Sequence, residues 1–240
     1  MEGKSWYERL RRRMGLAGEE TAPGQYPEWY RRYLTAAEPT IDPATPLADV
    51  PLVVLDGETT GLDVNQDQLL SLGALRITGN TLDLSRQFEA YVADAGAGTD
   101  WQRAVPIHGI LPNSRRNVHS SEEEIVERLL DYVGGSVIIG HHIGFDRRMI
   151  DRALAAAGAG PLVSPVVDTA WLAQRIQPKG YWSPPGDYTL DALARRYRIP
   201  LSDRHTALGD CYITGVLWLK LVARWRGKLG RGVVWGDVGK

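Results

Sequence analysis

Residues 51–63, PLVVLDGETTGLD, give the clearest indication of the fold and of the chemistry of this chain. Residues 52–55 form a continuous apolar run, typical of a strand buried on both faces, and the run ends at Asp56, Gly57 and Glu58. Side chains alternate along an extended chain, so Asp56 and Glu58 project from one face, while Gly57 lets another group approach the backbone between them. Two adjacent carboxylates repel each other, and a hard divalent cation such as Mg²⁺ or Mn²⁺ relieves that repulsion. Taken alone, the pattern is also explained by acids that merely end a strand.

Size and composition restrict the class of protein. The 240 residues are 43% hydrophobic and 24% charged, which is ordinary for a soluble globular protein with one catalytic-sized domain and an appendage. The single cysteine, Cys211, excludes an internal disulfide and a cysteine-based zinc cluster. Because no signal-like or membrane-length apolar run occurs, we expect a cytoplasmic protein without membrane contact. The formal net charge of −1 means that a nucleic-acid partner would be attracted by local patches or by bound metal.

The chain divides into three parts. Residues 1–48 are predicted to be a helical extension and linker, with amphipathic helices over 5–14 and 24–37 followed by a proline-rich connector. Residues 49–224 form the main domain, and residues 225–240 a short tail. We expect the two N-terminal helices to pack their aromatic residues on the main domain; contact with a separate partner is the alternative.

Downstream of the acidic strand, strands and helices alternate. Residues 68–78 and 81–92 are predicted strands, joined as a hairpin by Gly79-Asn80. The later predictions are a helix capped by Ser120 or Ser121 and ending at Val133, a buried strand over 135–140, helices over 145–157 and 189–197, a candidate fifth strand over 162–167, and a final helix through Val222.

Four acids and one histidine share a pattern. Asp56 and Glu58 end one strand, Asp146 follows another, and His205 with Asp210 opens the last helix. In order and context, LDGETTGL, GHHIGFD and H-x₄-D closely resemble the three motifs of the DEDDh exonucleases. That family includes the proofreading epsilon subunit of bacterial replicative polymerases and its stand-alone relatives. Each motif alone is weak, but the three occur in the right order with compatible spacing, and the resemblance covers most of the chain.

The resemblance implies a fold and an activity. The fold is a three-layer α/β arrangement like that of ribonuclease H, with a mixed five-stranded sheet flanked by helices. The implied reaction is 3′-to-5′ hydrolysis of the terminal phosphodiester of single-stranded DNA, with release of nucleoside 5′-monophosphates. Trimming of RNA 3′ ends, degradation of short oligoribonucleotides and a non-catalytic nucleic-acid-binding module are alternatives. The N-terminal helices are candidates for contact with a replication or repair protein.

The resemblance also assigns roles to the site residues. It implies that Asp56, Glu58, Asp146 and Asp210 bind two divalent metal ions, Mg²⁺ or Mn²⁺, and that His205 is the general base. Two ions can activate a water and stabilise the leaving 3′ oxygen, and a histidine titrates close to neutrality. Positions five apart do not share a helix face, so we expect His205 just before the helix and Asp210 within it.

Further residues match the family less specifically. Thr59 and Leu62 stand where the family contacts the terminal nucleotide, and His108 is a candidate substrate contact with a structural role as the alternative. Asp168 is interpreted as a helix N-cap. His142 stands where relatives most often carry asparagine. Candidates for holding the next nucleotides are Arg115, Arg116, Lys179, Tyr181 and Trp182.

Overall fold

The computed structural model describes residues 25–93, 119–178, 182–184 and 186–239. Predictions for the helix over 5–14 and for His108, Arg115, Arg116, Lys179 and Tyr181 lie outside the described residues. In chain order the elements are helix α1 (Glu28–Ala37), a 3₁₀ turn (Leu47–Asp49), strands β1 (Leu52–Thr59), β2 (Leu69–Thr78), β3 (Thr81–Val92) and β4 (His119–Ser120), α2 (Glu122–Val133), β5 (Val137–Gly140), α3 (Gly144–Ala156), β6 (Val166–Asp168), α4 (Thr169–Arg175), α5 (Leu190–Tyr197), α6 (Ala207–Leu229) and α7 (Trp235–Val238).

The described strands form one mixed sheet in the order β4-β3-β2-β1-β5-β6. Strands β1, β2 and β3 form an antiparallel meander that contains the predicted hairpin of β2 and β3, and Gly79 at the β2–β3 turn has a φ of 60°. Strands β5 and β6 extend the sheet in parallel with β1. Helices cover both faces, so the predicted ribonuclease H-like α/β class is confirmed.

The prediction of five strands was wrong, because the described residues contribute six strands to the sheet. The additional strand, β4, is two residues long and pairs in parallel with the end of β3, where Tyr91 lies opposite His119. It consists of His119 and Ser120 and contains no apolar run, which is the signal by which buried strands are recognised. The strand expected over 162–167 is β6, which begins later, at Val166.

Alternation along β1 divides the core into two layers. Val53 and Leu55 belong to a buried cluster built with α1, α2 and α3. Leu52 and Val54 belong to a second cluster on the opposite face, built with α4, α5, α6 and α7. Because side chains alternate, Asp56 projects from the same face as Leu52 and Val54. Strand β1 therefore directs its acids toward the layer that contains α6.

Helix α1 is packed into the first of these layers. Its aromatic residues Trp29, Tyr30 and Tyr33 are buried. The Tyr33 hydroxyl donates to Ser164 Oγ at 2.9 Å and accepts from the backbone N–H groups of Val163 and Ser164 at 3.0 and 2.8 Å. These aromatic side chains therefore pack in the core and are not exposed for contact with a partner.

We expect Tyr33→Phe to lower the free energy of unfolding by about 2–4 kcal/mol, because two buried N–H groups would lose their acceptor. Urea denaturation measures the change. Tyr91→Phe is the matched control: its hydroxyl donates to Glu89 at 2.9 Å in an exposed position, and we expect a change within about 0.5 kcal/mol. Equal losses in the two variants would contradict the structural role of the Tyr33 hydroxyl.

The last long helix continues beyond its predicted end. Helix α6 reaches Leu229 rather than Val222, because no proline interrupts it before Gly230, which caps it with a φ of 66°. The chain then returns to the connector that precedes β1, where Val234 forms a bridge with Pro46. Among the described residues, none of the helices combines the length and the apolar character that a membrane span requires.

Candidate active site

Three carboxylates from two elements converge at the end of β1. One oxygen from each of Asp56, Glu58 and Asp210 lies within 4.8 Å of the other two. Asp210, on α6, is buried, whereas Asp56 and Glu58 are half-buried. Like charges this close disfavour ionisation unless a cation lies between them.

A glycine in β2 lets α6 approach closely enough to deliver Asp210. Gly73 pairs with Asp56 across the β1–β2 ladder. A Cβ atom at Gly73 would lie 2.6 Å from the carbonyl carbon of Ala207 and 2.7 Å from the nitrogen of Leu208. Any larger residue would push the start of α6 away from the sheet. The close approach therefore places Asp210, in the first turn of α6, beside the acids of β1.

Asp146 reaches the site from α3. The buried carboxylate accepts a hydrogen bond at Oδ1 from the Gly57 N–H at 3.1 Å. Gly57 thus lets a group approach the backbone between Asp56 and Glu58, as its lack of a side chain predicts. Asp146 stands outside the set of three mutually close oxygens, but its charge contributes to raising the pKa of Asp56.

Burial raises the pKa of all four carboxyl groups, and repulsion from the other acids of the site adds to this effect at Asp56 and Glu58. Burial, reinforced by the charge of Asp210, raises the pKa of Glu58 to about 7. Burial likewise raises the pKa of Asp146 to about 7. The pKa of Asp56 lies well above its usual range because of burial and the charges of the other three acids. Burial also raises the pKa of Asp210, against the opposing effect of Arg204. The cluster is therefore unfavourable when it is fully ionised and holds no cation.

An arginine that the sequence analysis did not single out contacts this cluster. Arg204 donates from Nη1 to Oδ2 of Asp210 and from Nε to Oδ1 of Asp191 at 2.7 Å. Nη1 also lies 3.3 Å from Nδ1 of His205. The signal that could have identified it is charge balance: four clustered acids need a nearby cation, and Arg204 directly precedes the histidine of the third motif.

His205 lies just before α6, where the five-residue spacing to Asp210 predicts it. Its backbone is left-handed, with a φ of 67°. Since Nδ1 accepts a hydrogen bond from Arg204 in this arrangement, a neutral His205 ring carries its proton on Nε2.

The two histidines of the second motif have other surroundings. Nδ1 of His141 lies 2.8 Å from Thr169 Oγ1, which donates to the Gly140 carbonyl at 3.1 Å, so Nδ1 is the donor to Thr169. Burial, together with the neighbouring His142, lowers the pKa of His141 to about 4. His142 has a φ of 54°, a left-handed conformation that asparagine adopts readily. This conformation is compatible with the asparagine that the family resemblance implies at this position.

Two predicted substrate contacts, Thr59 and Leu62, lie at the end of β1 and in the loop that follows it. Thr59 is half-buried, whereas Leu62 projects into solvent with 85% of its surface exposed. Arg152 of α3 donates to the Asp67 carbonyl at 2.7 Å and so ties this loop to the helix that carries the second-motif acid. Leu62 is therefore presented from a braced loop next to the acids. The third predicted contact, His108, lies outside the described residues.

The donor set fits a divalent metal ion. Every close ligand atom is a carboxylate oxygen, the type that hard divalent ions prefer. Within the described part of the chain, the buried Oδ1 of Asp210 has no hydrogen-bond partner. Burying such an oxygen unpaired costs free energy unless a cation or a proton satisfies it. The three acids are therefore suited to binding a divalent cation.

We expect the metal-free protein to lose stability as the pH rises from about 6 to 8. The pKa values of Glu58 and Asp146, both about 7 in the folded protein, exceed the ordinary values of an unfolded chain. The folded state therefore holds protons that the unfolded state has released, so their stabilising contribution is present at lower pH and lost as the pH passes through about 7. Thermal melts in EDTA should give a lower Tm at pH 8 than at pH 6, and saturating Mn²⁺ should reduce the difference. A Tm in EDTA that rises from pH 6 to pH 8 would contradict the raised pKa values of Glu58 and Asp146.

Comparison with known proteins identifies the family. A family profile for exonucleases of the RNase T type matches residues 53–217, which is 165 of the 240 residues. The matched region contains the acids of β1, all of α3 and the first turns of α6. The chain belongs to this exonuclease family. The recognition made from the three motifs is confirmed, and with it the enzyme class, a nuclease.

Curated relatives include PolC-type DNA polymerases III. The protein from Lacticaseibacillus paracasei is 28% identical over 172 residues, which cover 71% of this chain and 11% of the polymerase. The protein from Staphylococcus aureus is 27% identical over 177 residues, which cover 73% of this chain and 12% of the polymerase. The chain thus spans about a tenth of the length of these relatives.

Solved structures of E. coli exonuclease I share the fold. The complex with a dT13 oligonucleotide superposes with a TM-score of 0.63 at 20% identity, covering 75% of this chain and 42% of exonuclease I. The zinc-bound form of its complex with single-stranded DNA also gives a TM-score of 0.63, at 21% identity, covering 76% of this chain and 42% of exonuclease I. At this level of identity the likeness establishes a common architecture.

Proposed function

We propose that the chain is a metal-dependent 3′-to-5′ exonuclease that hydrolyses the 3′-terminal phosphodiester of single-stranded DNA and releases nucleoside 5′-monophosphates. The observation that carries this proposal is the convergence of Asp56, Glu58 and Asp210 within 4.8 Å at the end of β1. Asp146 adjoins them through the Gly57 N–H, and His205 lies at the start of α6. Membership of an exonuclease family supports the same reaction class.

The acids would hold the cofactor. Asp56, Glu58 and Asp210, joined by Asp146, would bind two divalent ions, Mg²⁺ or Mn²⁺, through carboxylate oxygens. When bound, such ions activate a water for attack and stabilise the charge that develops on the leaving oxygen. Because the pKa values of these carboxyl groups are raised, metal binding would release protons from them.

The remaining residues would handle the proton and the substrate. His205 would take the proton of the attacking water at Nδ1, exchanging its 3.3 Å contact with Arg204 for that water. Leu62, exposed on its braced loop, would contact the terminal nucleotide through apolar surface, and Thr59 would do so beside it. In this proposal the nucleotide contacts, the acids and the base would all act at one end of β1.

We infer single-stranded DNA as the substrate from the proteins to which the chain is similar. E. coli exonuclease I has been solved with dT13 and with single-stranded DNA, and the PolC-type proteins are DNA polymerases. The exposed Trp182, with 78% of its surface accessible, would offer a ring for base stacking farther along the strand.

The test is digestion of a 5′-labelled single-stranded DNA oligomer with Mg²⁺ or Mn²⁺, beside EDTA and Asp56→Asn controls. We expect a ladder that shortens from the 3′ end and is absent from both controls. An RNA oligomer of equal length is digested in parallel, because a 2′-hydroxyl contact decides between the two substrates. Digestion of RNA alone would replace the proposed substrate. Tight binding of both oligomers without hydrolysis would overturn the proposed activity in favour of a binding module.

A further inference from the structure

Arg204 links the acidic cluster to a neighbouring helix. Its Nη1 donates to Oδ2 of Asp210, and its Nε donates to Oδ1 of Asp191 at 2.7 Å. Asp191 stands in the first turn of α5, after the N-cap Thr189, whose side chain accepts from Ala192 N–H. The anchor of the guanidinium is therefore a rigid helix start.

The contact with Arg204 distinguishes the two oxygens of Asp210. Oδ2 is held by the guanidinium, whereas the buried Oδ1 has no partner within the described residues. Because the two oxygens of a carboxylate point apart, fixing one of them fixes the direction of the other. Oδ1 is thereby left as the free oxygen of Asp210, a residue that stands in one cluster with Asp56 and Glu58.

We propose that Arg204, anchored by Asp191, is a positioning residue that orients the Asp210 carboxylate for metal binding. The inference rests on the metal site of the proposed function and adds two residues from outside the ligand set. Residues that orient metal ligands typically contribute about 10–100-fold to metal affinity. The guanidinium offers several donors in a fixed plane, which lets one side chain grip both carboxylates at once.

Charge balance is consistent with this role. A lone cation beside a metal site would repel the ion, but the carboxylate of Asp191 lies against Arg204 and offsets its charge. Arg204 is also partly buried, with 24% of its side chain exposed, against 5% for Asp210. The pair of Asp191 and Arg204 therefore supplies orientation to Asp210 without adding a net positive charge to the site.

The test measures Mn²⁺ binding by isothermal titration calorimetry on the full chain, without substrate. We expect Arg204→Met and Asp191→Asn each to weaken Mn²⁺ binding, with an increase in the Kd of about 10–100-fold. The double variant should bind about as weakly as the weaker single variant, because both changes disrupt one chain of contacts. Arg204→Lys, which keeps the charge but not the planar donors, should recover only part of the loss.

Arg231→Met is the matched control, since Arg231 forms a two-point ion pair with Asp237 in the C-terminal segment, at 2.8 Å for each contact. It should bind Mn²⁺ as the wild type does. Thermal melts in EDTA establish that each variant is folded. If Arg204→Met does not fold, the Mn²⁺ Kd of Asp191→Asn decides the test.

Three results would overturn the inference: wild-type affinity in both single variants, tighter binding in Arg204→Met, or losses that multiply in the double variant. Tighter binding would show that Arg204 competes with the metal instead of orienting its ligand. A wild-type protein that takes up no Mn²⁺ would instead contradict the metal site of the proposed function, which is a separate outcome.

Discussion

Asp56→Asn is expected to abolish hydrolysis while making the metal-free protein more stable. Asp56 stands in the group of three carboxylates at the end of β1, so its loss would remove one of the ligands of the proposed ions. Several kcal/mol of charge stabilisation in the transition state then disappear, which corresponds to a fall in kcat of at least about a thousandfold. The measurement is the initial rate of DNA digestion at saturating Mn²⁺.

The stability of the same variant should move in the opposite direction. Burial and the charges of the other acids raise the pKa of Asp56 well above its usual range, so the ionised carboxylate opposes folding at pH 8. Asparagine removes that charge and keeps the shape. We expect the Tm in EDTA at pH 8 to rise by about 3–6 °C, corresponding to roughly 1–2 kcal/mol in a chain of this size.

Asp49→Asn is the control for both measurements, because Asp49 is exposed and precedes the other end of β1. It should change neither the rate nor the Tm. A loss of activity in Asp56→Asn together with a lower Tm would indicate that the side chain acts through folding. A metal ligand is distinguished from a structural acid because its loss lowers the activity and raises the Tm.

Much of the sheet could be predicted because local pattern and tertiary environment agree in it. The strands expected over 68–78 and 81–92 are β2 and β3, and the Gly79-Asn80 pair forms their turn. Strand β4 could not be predicted, since its two polar residues pair only because β3 passes beside them. The end of α6 was missed for a related reason: the residues after Val222 continue the helix until a left-handed glycine stops it.

In the candidate site, too, some features could be predicted from the local sequence and others could not. Asp56 and Glu58 could be placed together from strand alternation alone, because both stand on β1. The approach of α6 depends on Gly73, and a glycine inside an apolar strand does not reveal which element will pack against it. The role of Arg204 depends on Asp191, which stands on a different helix. Contacts between elements of this kind follow from the packing of the layers and not from local sequence.

His205→Asn is expected to lower kcat by about 10²–10⁴-fold, the usual contribution of a general base, while the Mn²⁺ Kd stays near the wild-type value. The metal affinity should be unaffected because His205 precedes α6 and is not in the group of three close carboxylates. Asparagine is a suitable replacement, since the φ of 67° at this position is one that it tolerates. Its amide oxygen can also accept from Arg204, which preserves the contact that holds the loop.

His142→Asn provides the matched control for His205→Asn. His142 is also left-handed, with a φ of 54°, and is exposed, so the two variants make the same chemical change in the same backbone conformation. We expect the His142 variant to retain a kcat within a few fold of the wild type and to fold normally, because asparagine fits that conformation. Single-turnover rates at saturating Mn²⁺ measure the chemical step directly. Equal losses in the two variants would argue against a specific role for His205, whereas a loss confined to His205→Asn, at unchanged metal affinity, would assign proton transfer to its ring.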